Sequence, residues 1–279
     1  MNRLAFGGIS HDLTARSLIM GILNITPDSF SDGGRFMDTD TALRQAEIMV
    51  EQGADIIDIG GESTRPGAAR ISVEEEIRRV TPMVRAIKCR FDVAVSVDTV
   101  KAPVASLSLA EGADMINDVS GLQFDPDMAS AVAQAGVPVI IMHTSGEPEV
   151  MQKLTDYSDV VESIKTFLQK QSSIALENGI KRDKIIVDIG IGFGKTVEQN
   201  FSLIKHLRQF CEMGYPVLLG ASRKSFIGNT LNLPVDERLE GTLAMQTAAY
   251  LAGARIFRVH DVKEARRTAD LLEAFYRAP

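Results

Sequence analysis

The chain has 279 residues, of which 45% are hydrophobic and 24% charged, and its formal net charge at neutral pH is −7. This apolar fraction can fill a large core, which excludes an intrinsically disordered chain. The negative charge argues against nonspecific nucleic-acid binding, which needs a concentrated basic surface, but allows a small anionic substrate bound by a local cluster of cations.

Short apolar runs alternate with stretches of helical periodicity about every 30 residues along most of the chain. Residues 1–17 precede this pattern and predict a small hairpin or plug over a barrel floor. The apolar runs cover residues 18–23, 56–59, 93–97, 115–116, 137–142, 185–187, 217–219 and 256–259. The helical stretches cover residues 40–52, 73–88, 103–111, 127–134, 158–178, 197–213, 237–252 and 262–277. Eight such units predict an α/β fold, a (β/α)8 TIM barrel over residues 18–279, with residues 1–279 forming a single domain.

Polar residues stand at the ends of several runs, where a barrel assembles its active site. Asp98, Asn117 and Asp188 end the third, fourth and sixth runs. A carboxylate accepts two parallel N–H bonds from an amino-amidine edge, and Asn both donates and accepts, so the set suits a flat nitrogen heterocycle. Each residue alone could be a strand-end cap that bonds nearby backbone. Three at corresponding positions favour a binding site.

Cationic residues lie at the ends of the last two runs or just after them. Arg223, Lys224 and Ser225 come after the seventh run, where barrels commonly bind anions at a helix start. The alternative is a solvated basic turn. Arg258 and His260 lie two residues apart on the eighth run, so both side chains project to one side and form a candidate oxyanion or phosphate clamp.

Two irregular loops, at residues 24–36 and 60–70, follow the first two runs, and their length is typical of loops that enclose a substrate. The first loop contains hard oxygen donors that could hold Mg²⁺ near an anion pocket: Asn24, Asp28, Ser29, Ser31 and Asp32. A pure turn role is an equal alternative.

A third loop, DIGIGFGK at residues 188–195, matches neither GxGxxG nor GxxxxGK[ST]. Gly190, Gly192 and Gly194 predict a tight backbone turn around a bound ring, with Phe193 offered as an apolar face. An ordinary flexible loop is the alternative.

The other candidate reactive residues give weaker signals. His143 closes the fifth run without an acidic neighbour in sequence, which disfavours direct catalysis. Cys89 and Cys211 lack CxxC or histidine spacing and indicate inert packing or surface thiols. HExxH and GxSxG are absent, and no run approaches the roughly 18 apolar residues of a membrane span. We therefore expect a cytoplasmic protein that binds no membrane.

Together these segments resemble dihydropteroate synthase, an enzyme family of the folate pathway. The matching segments, in the family's order from about residue 18 to residue 263, are GILNITPDSFSDGG, DIIDIGGESTRPGA, VSVDT, INDVSG, IMH, DIGIGFGK, LLGASRKSFIG and RVHDV. The resemblance implies condensation of 6-hydroxymethyl-7,8-dihydropterin diphosphate with 4-aminobenzoate, giving 7,8-dihydropteroate and pyrophosphate. It implies Mg²⁺-assisted departure of pyrophosphate and attack of the arylamine on a pterin-stabilised cation. It also implies that sulfonamides target the enzyme.

The resemblance assigns a role to each matching residue. The pterin would be bound by Asp98, Asn117, Met142, Asp188, Lys224 and Arg258. The aminobenzoate would be surrounded by Thr64, Arg65, Pro66, Phe193 and Ser225. The diphosphate would be held by Asn24, Arg258 and His260, with Asn24 also binding Mg²⁺. The catalytic residues would be Asp188, Lys224, Arg258 and His260.

The chain departs from the family's usual pattern at Ile189, where Pro is common, and at Thr144 and Ser145 after His143. These changes leave the loop geometry near the pterin, and the bond made by His143, open. Two other functions compete with the synthase: a pterin-binding methyltransferase that serves a cobalamin protein, and a noncatalytic pterin-binding paralogue. The STRPG and SRKS segments favour the synthase.

The resemblance further implies a homodimer formed through outer helices of the later part of the barrel. One predicted helix supplies an apolar surface for this contact: Leu239, Leu243, Met245, Ala248 and Leu251. The same residues could equally pack against the barrel.

Overall fold

The computed structural model of the chain describes residues 3–25, 39–63 and 70–278. It begins with an antiparallel hairpin of β1 (Arg3–Phe6) and β2 (Ile9–Asp12). The following strands are β3 (Leu18–Asn24), β4 (Ile56–Gly60), β5 (Ala94–Asp98), β6 (Met115–Asp118), β7 (Val139–Met142), β8 (Ile185–Asp188), β9 (Val217–Leu219) and β10 (Ile256–Val259). These eight are parallel neighbours in a closed barrel in which β10 pairs with β3. The predicted (β/α)8 barrel is confirmed.

The hairpin closes the floor of the barrel, as the sequence predicted. Leu4 and Phe6 of β1 are buried against the inward-facing side chains at the amino ends of the barrel strands. These floor residues are Leu18, Met20, Ile56, Met115, Ile140, Ile186, Leu218 and Ile256. Full burial of each large apolar side chain stabilises the fold by about 1.5–3 kcal/mol, so the plug belongs to the core.

Helices surround the barrel. Their bounds are α1 (Thr39–Glu51), α2 (Val73–Arg90), α3 (Ala102–Ala110), α4 (Met128–Ala135), α5 (Val160–Glu177), α6 (Val197–Lys205), α7 (Leu207–Cys211), α8 (Ser225–Leu231), α9 (Leu239–Ala252) and α10 (Val262–Arg277). Several begin at the side-chain caps expected of helix starts: Ser72 accepts from the Glu75 N–H, and Thr196 forms a capping box with Gln199. No helix within residues 3–25, 39–63 and 70–278 combines the length and apolar character needed to cross a membrane.

One helical prediction was wrong in detail, and one short helix was missed. The predicted helix over 197–213 is divided at His206, where the backbone leaves the helical region (φ −101°, ψ 14°). There the ring Nδ1 of His206 lies 2.8 Å from the carbonyl oxygen of Ser202, so the side chain meets an acceptor at the end of α6. The short helix α8 was not predicted, because two turns are too short for periodicity to be visible.

Alternation of side chains along each strand separates a core from a site. Outward-facing residues such as Ile57, Val95 and Val187 pack against the helices in one large apolar cluster. Inward-facing residues are apolar at the floor and become polar towards the carboxyl ends. These upper inward residues include Met142 and the polar residues Asn24, Asp58, Asp98, Asn117, Asp188 and Arg258. The fold therefore places most of the predicted site residues around one mouth.

Candidate functional site

Arg258 lies at the centre of the mouth and bonds two carboxylates from other strands. Its Nε donates to Asp58 Oδ2 at 2.6 Å, and its Nη2 donates to Asp98 Oδ2 at 2.8 Å. The Nδ2 of Asn117 donates to the same Asp58 oxygen at 3.1 Å. Closure of the barrel thus brings Asp98, Asn117 and Arg258 together, around a carboxylate that the sequence analysis missed.

Asp58 was missed because it lies inside an apolar run rather than at its end. Its side chain is completely buried, and its Oδ1 has no hydrogen-bond partner among the described residues. The signal was present: Asp58 is a lone carboxylate at an inward position, two residues after Ile56. A buried carboxylate is stable only when it is paired, and Arg258 and Asn117 supply that pairing.

A second cluster joins the segment after β8 to the start of α8. The Lys224 ammonium donates to the carbonyl oxygen of Ile191 and lies 4.4 Å from the centroid of the Phe193 ring. The carboxylate Oδ1 of Asp188 accepts the Gly190 N–H at 2.7 Å. Lys224 also interacts electrostatically with Asp188. The structure therefore brings Asp188, Phe193 and Lys224 together.

Arg223, just before Lys224, has a left-handed backbone conformation that few residues other than glycine adopt. Arg223 has φ +56°, and both of its backbone groups are bonded: the N–H donates to Thr242 Oγ1 at 3.0 Å, and the carbonyl accepts from Arg238 Nη1 at 3.0 Å. Its guanidinium Nε donates to Asp261 Oδ2 at 2.9 Å. These contacts neutralise Arg223 and fix the position from which Lys224 enters the mouth.

The backbone turns tightly after Asp188, as predicted, and contact with the end of β7 explains the glycines there. That the turn surrounds a bound ring stays a prediction. Gly190 has φ +65°, and a Cβ on it would lie 1.8 Å from the His143 carbonyl oxygen. Gly194 also has φ +65°, and a Cβ there would lie 1.6 Å from Ser145 Oγ. Only glycine fits at either position.

Two further glycines leave space between functional side chains. A Cβ on Gly220 would lie 3.8 Å from Asp188 Oδ2 and 3.9 Å from the Cβ of Arg258. A Cβ on Gly60 would lie 3.2 Å from Asn24 Oδ1 and 3.9 Å from the Cβ of Asp98. The two glycines therefore leave space beside these polar side chains that a larger residue would fill.

Burial opposes ionisation of the charged groups in the mouth. It raises the pKa of Asp98 to about 7, although Arg258 acts in the opposite direction. Burial also raises the pKa of Asp188, which the neighbouring Lys224 ammonium partly offsets. It lowers the pKa of Lys224 to about 8. For Arg258, burial lowers the pKa, but the carboxylates of Asp58 and Asp98 outweigh it and raise the net value. A ligand of complementary charge and hydrogen bonding would therefore stabilise the charged forms of these side chains.

The other predicted residues lie around this centre. Met142 is buried at the end of β7, in register with Asp188. Asn24 is half-buried at the end of β3, and the first residue of α8, Ser225, is exposed. His260 follows β10, with its Nδ1 3.0 Å from Ser222 Oγ.

Several predicted residues lie outside the described residues. They are Thr64, Arg65 and Pro66, predicted to bind aminobenzoate, and Asp28, Ser29, Ser31 and Asp32, proposed as oxygen donors.

Comparisons with known proteins show which family the chain belongs to. The family model described as pterin binding enzyme matches residues 20–260. The dihydropteroate synthase of Haemophilus influenzae is 49% identical over 92% of this chain and 92% of its own length. The crystal structure of Yersinia pestis dihydropteroate synthase with a sulfonamide drug complex has a TM-score of 0.94 at 45% identity, covering 99% of this chain and 100% of that one. Dihydropteroate synthase from Xanthomonas albilineans in complex with 7,8-dihydropteroate has a TM-score of 0.90 at 37% identity, with coverages of 99% and 100%. The chain therefore belongs to the pterin-binding enzymes, within the dihydropteroate synthase family.

Proposed function

We propose that the protein condenses 6-hydroxymethyl-7,8-dihydropterin diphosphate with 4-aminobenzoate to give 7,8-dihydropteroate and pyrophosphate, a transfer reaction of folate biosynthesis. The observation that carries this proposal is the cluster in which Arg258 bonds Asp58 and Asp98 beside Asn117. It offers a flat heterocycle both acceptors and donors inside a closed barrel. The 7,8-dihydropteroate bound to the Xanthomonas relative contains the same pterin and aminobenzoate groups.

The pterin would bind by its polar edge in the mouth. Its amino and ring N–H groups need acceptors, which Asp98 and Asp188 supply, while Asn117 can donate and accept. Lys224 would donate to a ring acceptor, since its ammonium already lies at the same wall. Met142 and the guanidinium of Arg258 would lie against the ring. The aminobenzoate would occupy the outer part of the mouth, beside Phe193 and Ser225.

The diphosphate would lie near Arg258 and His260, which stand on one side of the chain at the end of β10. Arg258 uses Nε and Nη2 for its two carboxylates, and a guanidinium carries five N–H donors. Asn24 fits Mg²⁺, because its hard Oδ1 lies at the rim across Gly60, and this ion needs only one or two protein ligands besides water and phosphate oxygens. When bound there, Mg²⁺ would supply positive charge close to the leaving pyrophosphate.

Reaction would begin with cleavage of the bond between the exocyclic carbon and the diphosphate oxygen. Arg258 and His260 would stabilise the negative charge that grows on the leaving group. The positive charge left at the methylene would spread into the electron-rich pterin, which the carboxylate of Asp188 supports. The weakly nucleophilic amine of aminobenzoate then attacks this carbon, and a proton is released.

A direct assay tests this function. The purified protein, pterin diphosphate, Mg²⁺ and radiolabelled 4-aminobenzoate should give labelled dihydropteroate and one equivalent of pyrophosphate. Methyl transfer to a cobalamin protein without aminobenzoate incorporation would instead indicate the methyltransferase. Pterin binding with neither reaction would indicate the noncatalytic paralogue.

Asp188→Asn tests the electrostatic role of this carboxylate. We expect kcat to fall by about 100-fold or more, the scale measured when an electrostatic stabiliser of a transition state is removed, while the thermal unfolding midpoint changes little. Asp183→Asn, at an exposed position just before the same strand, is the control and should keep wild-type kinetics. Unchanged turnover in Asp188→Asn would remove this residue from the mechanism.

We also propose a homodimer formed through α9 and α10. On α9, Met245 and Ala248 pack against the barrel core, whereas Leu251 is exposed. On α10, Leu271 and Phe275 are 72% and 69% exposed, which extends the apolar surface. Light scattering should give twice the mass of the chain, and Phe275→Asp should shift it towards the monomer. A monomeric wild-type protein at micromolar concentration would contradict the proposal.

A further inference from the structure

Lys195 is a buried cation that the reaction described above does not use. Its side chain is only 5% exposed at the end of the DIGIGFGK segment. The ammonium donates to the carbonyl oxygens of Gly190 and Phe193, both at 2.8 Å, and lies 3.1 Å from His143 Nδ1. Burial, together with the nearby charge of Lys224, lowers the pKa of Lys195 well below its usual value. The three acceptors match the three N–H bonds of its ammonium form, which they stabilise.

His143 serves this lysine as a neutral acceptor. Burial, assisted by the charge of Lys195, lowers the pKa of His143 to about 3, so the ring is uncharged at physiological pH. With Nδ1 accepting from the ammonium, the ring proton belongs on Nε2. The ring also packs edge to face with Phe167 at a centroid distance of 4.8 Å. His143 thus anchors Lys195 to the end of β7.

The carbonyls that Lys195 holds belong to residues that contact the proposed substrate-binding side chains. The N–H of Gly190 donates to the Asp188 carboxylate, and the Phe193 ring faces the Lys224 ammonium. The Phe193 N–H also donates to the Gly190 carbonyl at 3.1 Å, which closes the turn. The geometry of the turn is therefore coupled to two positions in the mouth.

We propose that Lys195 is a positioning residue for the condensation, with its ammonium fixing the turn after β8 so that Phe193 is held in place for aminobenzoate. This inference rests on the proposed function, because it concerns the second substrate of that reaction. Loss of the ammonium leaves the Phe193 carbonyl and His143 Nδ1 without this donor, and the Gly190 carbonyl keeps only the Phe193 N–H, so the turn must rearrange. Asp188 is less affected than Phe193, because strand pairing with Met142 and Leu218 also fixes it.

Lys195→Met removes the ammonium and keeps an unbranched apolar side chain. We expect KM for aminobenzoate to rise by about tenfold or more, the factor associated with losing hydrogen bonds to a charged group. The Kd for pterin diphosphate, measured by calorimetry, should change by less than about threefold, since the strand still fixes Asp188. Lys170→Met, at an exposed position on α5, should leave both values unchanged.

A double-mutant cycle separates positioning from general destabilisation. If Lys195 acts through Phe193, Lys195→Met should raise KM for aminobenzoate by less than about twofold in a Phe193→Ala background. Fully additive effects would overturn the inference, because Lys195 would then act independently of Phe193.

Lys195→Gln provides a second variant that keeps two N–H donors without a charge. If Lys195→Met does not fold, we expect KM for aminobenzoate to rise in Lys195→Gln as well, by a smaller factor. A wild-type KM for aminobenzoate in a folded variant overturns the positioning role. Failure of both variants to fold overturns it too, because Lys195 would then be required for folding. Aminobenzoate incorporation by the wild-type protein is measured first, so failure of the proposed function is recognised independently.

Discussion

Asp58 makes two of the hydrogen bonds that organise the barrel mouth, although no substrate role was predicted for it. Its Oδ2 accepts from both Arg258 and Asn117. Both partners are residues that we expect to contact the pterin. A carboxylate in this position fixes their side chains before substrate arrives, which reduces the entropy lost on binding.

Asp58→Asn should therefore impair catalysis, although residue 58 does not contact the reacting atoms. The amide keeps the shape but not the charge, and it leaves Arg258 with Asp98 as its carboxylate partner. We expect kcat/KM for pterin diphosphate to fall by about 100-fold, because breaking a buried ion pair is strongly unfavourable. Asp55→Asn is the matched control, since Asp55 pairs with Arg16 at the opposite end of the barrel and should affect stability alone. Wild-type kcat/KM in Asp58→Asn would exclude the positioning role.

The pH dependence of kcat/KM should report Asp98 and Lys224. Burial raises the pKa of Asp98 to about 7, so its carboxylate, the form that accepts substrate N–H groups, is lost as the pH falls below 7. Burial lowers the pKa of Lys224 to about 8, so its ammonium is lost as the pH rises above 8. We expect a bell-shaped profile for the free enzyme with a maximum between these values. Lys224→Arg should move the alkaline limb upward, because arginine stays charged. A flat profile between pH 6 and 9 would contradict both assignments.

At the scale of elements, the turn after β8 shows why a glycine motif is informative when its context is known. Gly190 combines a positive φ with close approach to the end of β7. Gly136, at the end of α4, has nearly the same φ of +67°, but a Cβ there would meet no described atom within 4 Å. A side chain at Gly136 would meet only an unfavourable backbone conformation, whereas one at Gly190 would also clash with neighbouring atoms.

Gly190→Ala should be much more destabilising than Gly136→Ala. The second variant experiences only the strain of a left-handed conformation, about 1 kcal/mol. The first adds a Cβ that would lie 1.8 Å from the His143 carbonyl oxygen, and relieving this clash should cost about 1–3 kcal/mol more. Urea unfolding of both variants measures the difference. Equal losses would show that the turn can move away from β7.

Much of this element structure could be predicted because periodicity and strand ends are local signals. Asp98 and Asp188 were placed correctly at strand ends, and Asn117 within one residue of a strand end, since each directly follows a run of apolar residues. Asp58 could not be recognised in the same way, because its partners are distant in sequence and barrel closure alone brings them together. The contact between Lys195 and His143 joins the segments that follow β8 and β7, and it was invisible for the same reason.

For the whole molecule, the two ends of the barrel have separate tasks. The floor is filled by apolar residues of the strands and by the hairpin. The mouth instead carries ionisable side chains, and their burial disfavours the charged forms. Polar groups that bind substrate commonly reduce stability, and an apolar core elsewhere offsets that loss. The floor should therefore tolerate changes that alter stability without altering chemistry.

Leu4→Ala tests this division of tasks. Leu4 is completely buried in the floor, so its truncation should lower the free energy of unfolding by about 2–5 kcal/mol. Ile9, on the second strand of the same hairpin, is 60% exposed, and Ile9→Ala should change stability by no more than about 0.5 kcal/mol. Both variants should keep wild-type kcat and both KM values at a temperature where they are folded, because the hairpin lies at the amino ends of the strands and the mouth at their carboxyl ends. A changed KM for either substrate in folded Leu4→Ala would mean that packing at the floor is transmitted through the barrel to Asp58 and Arg258, and that the two ends are not independent.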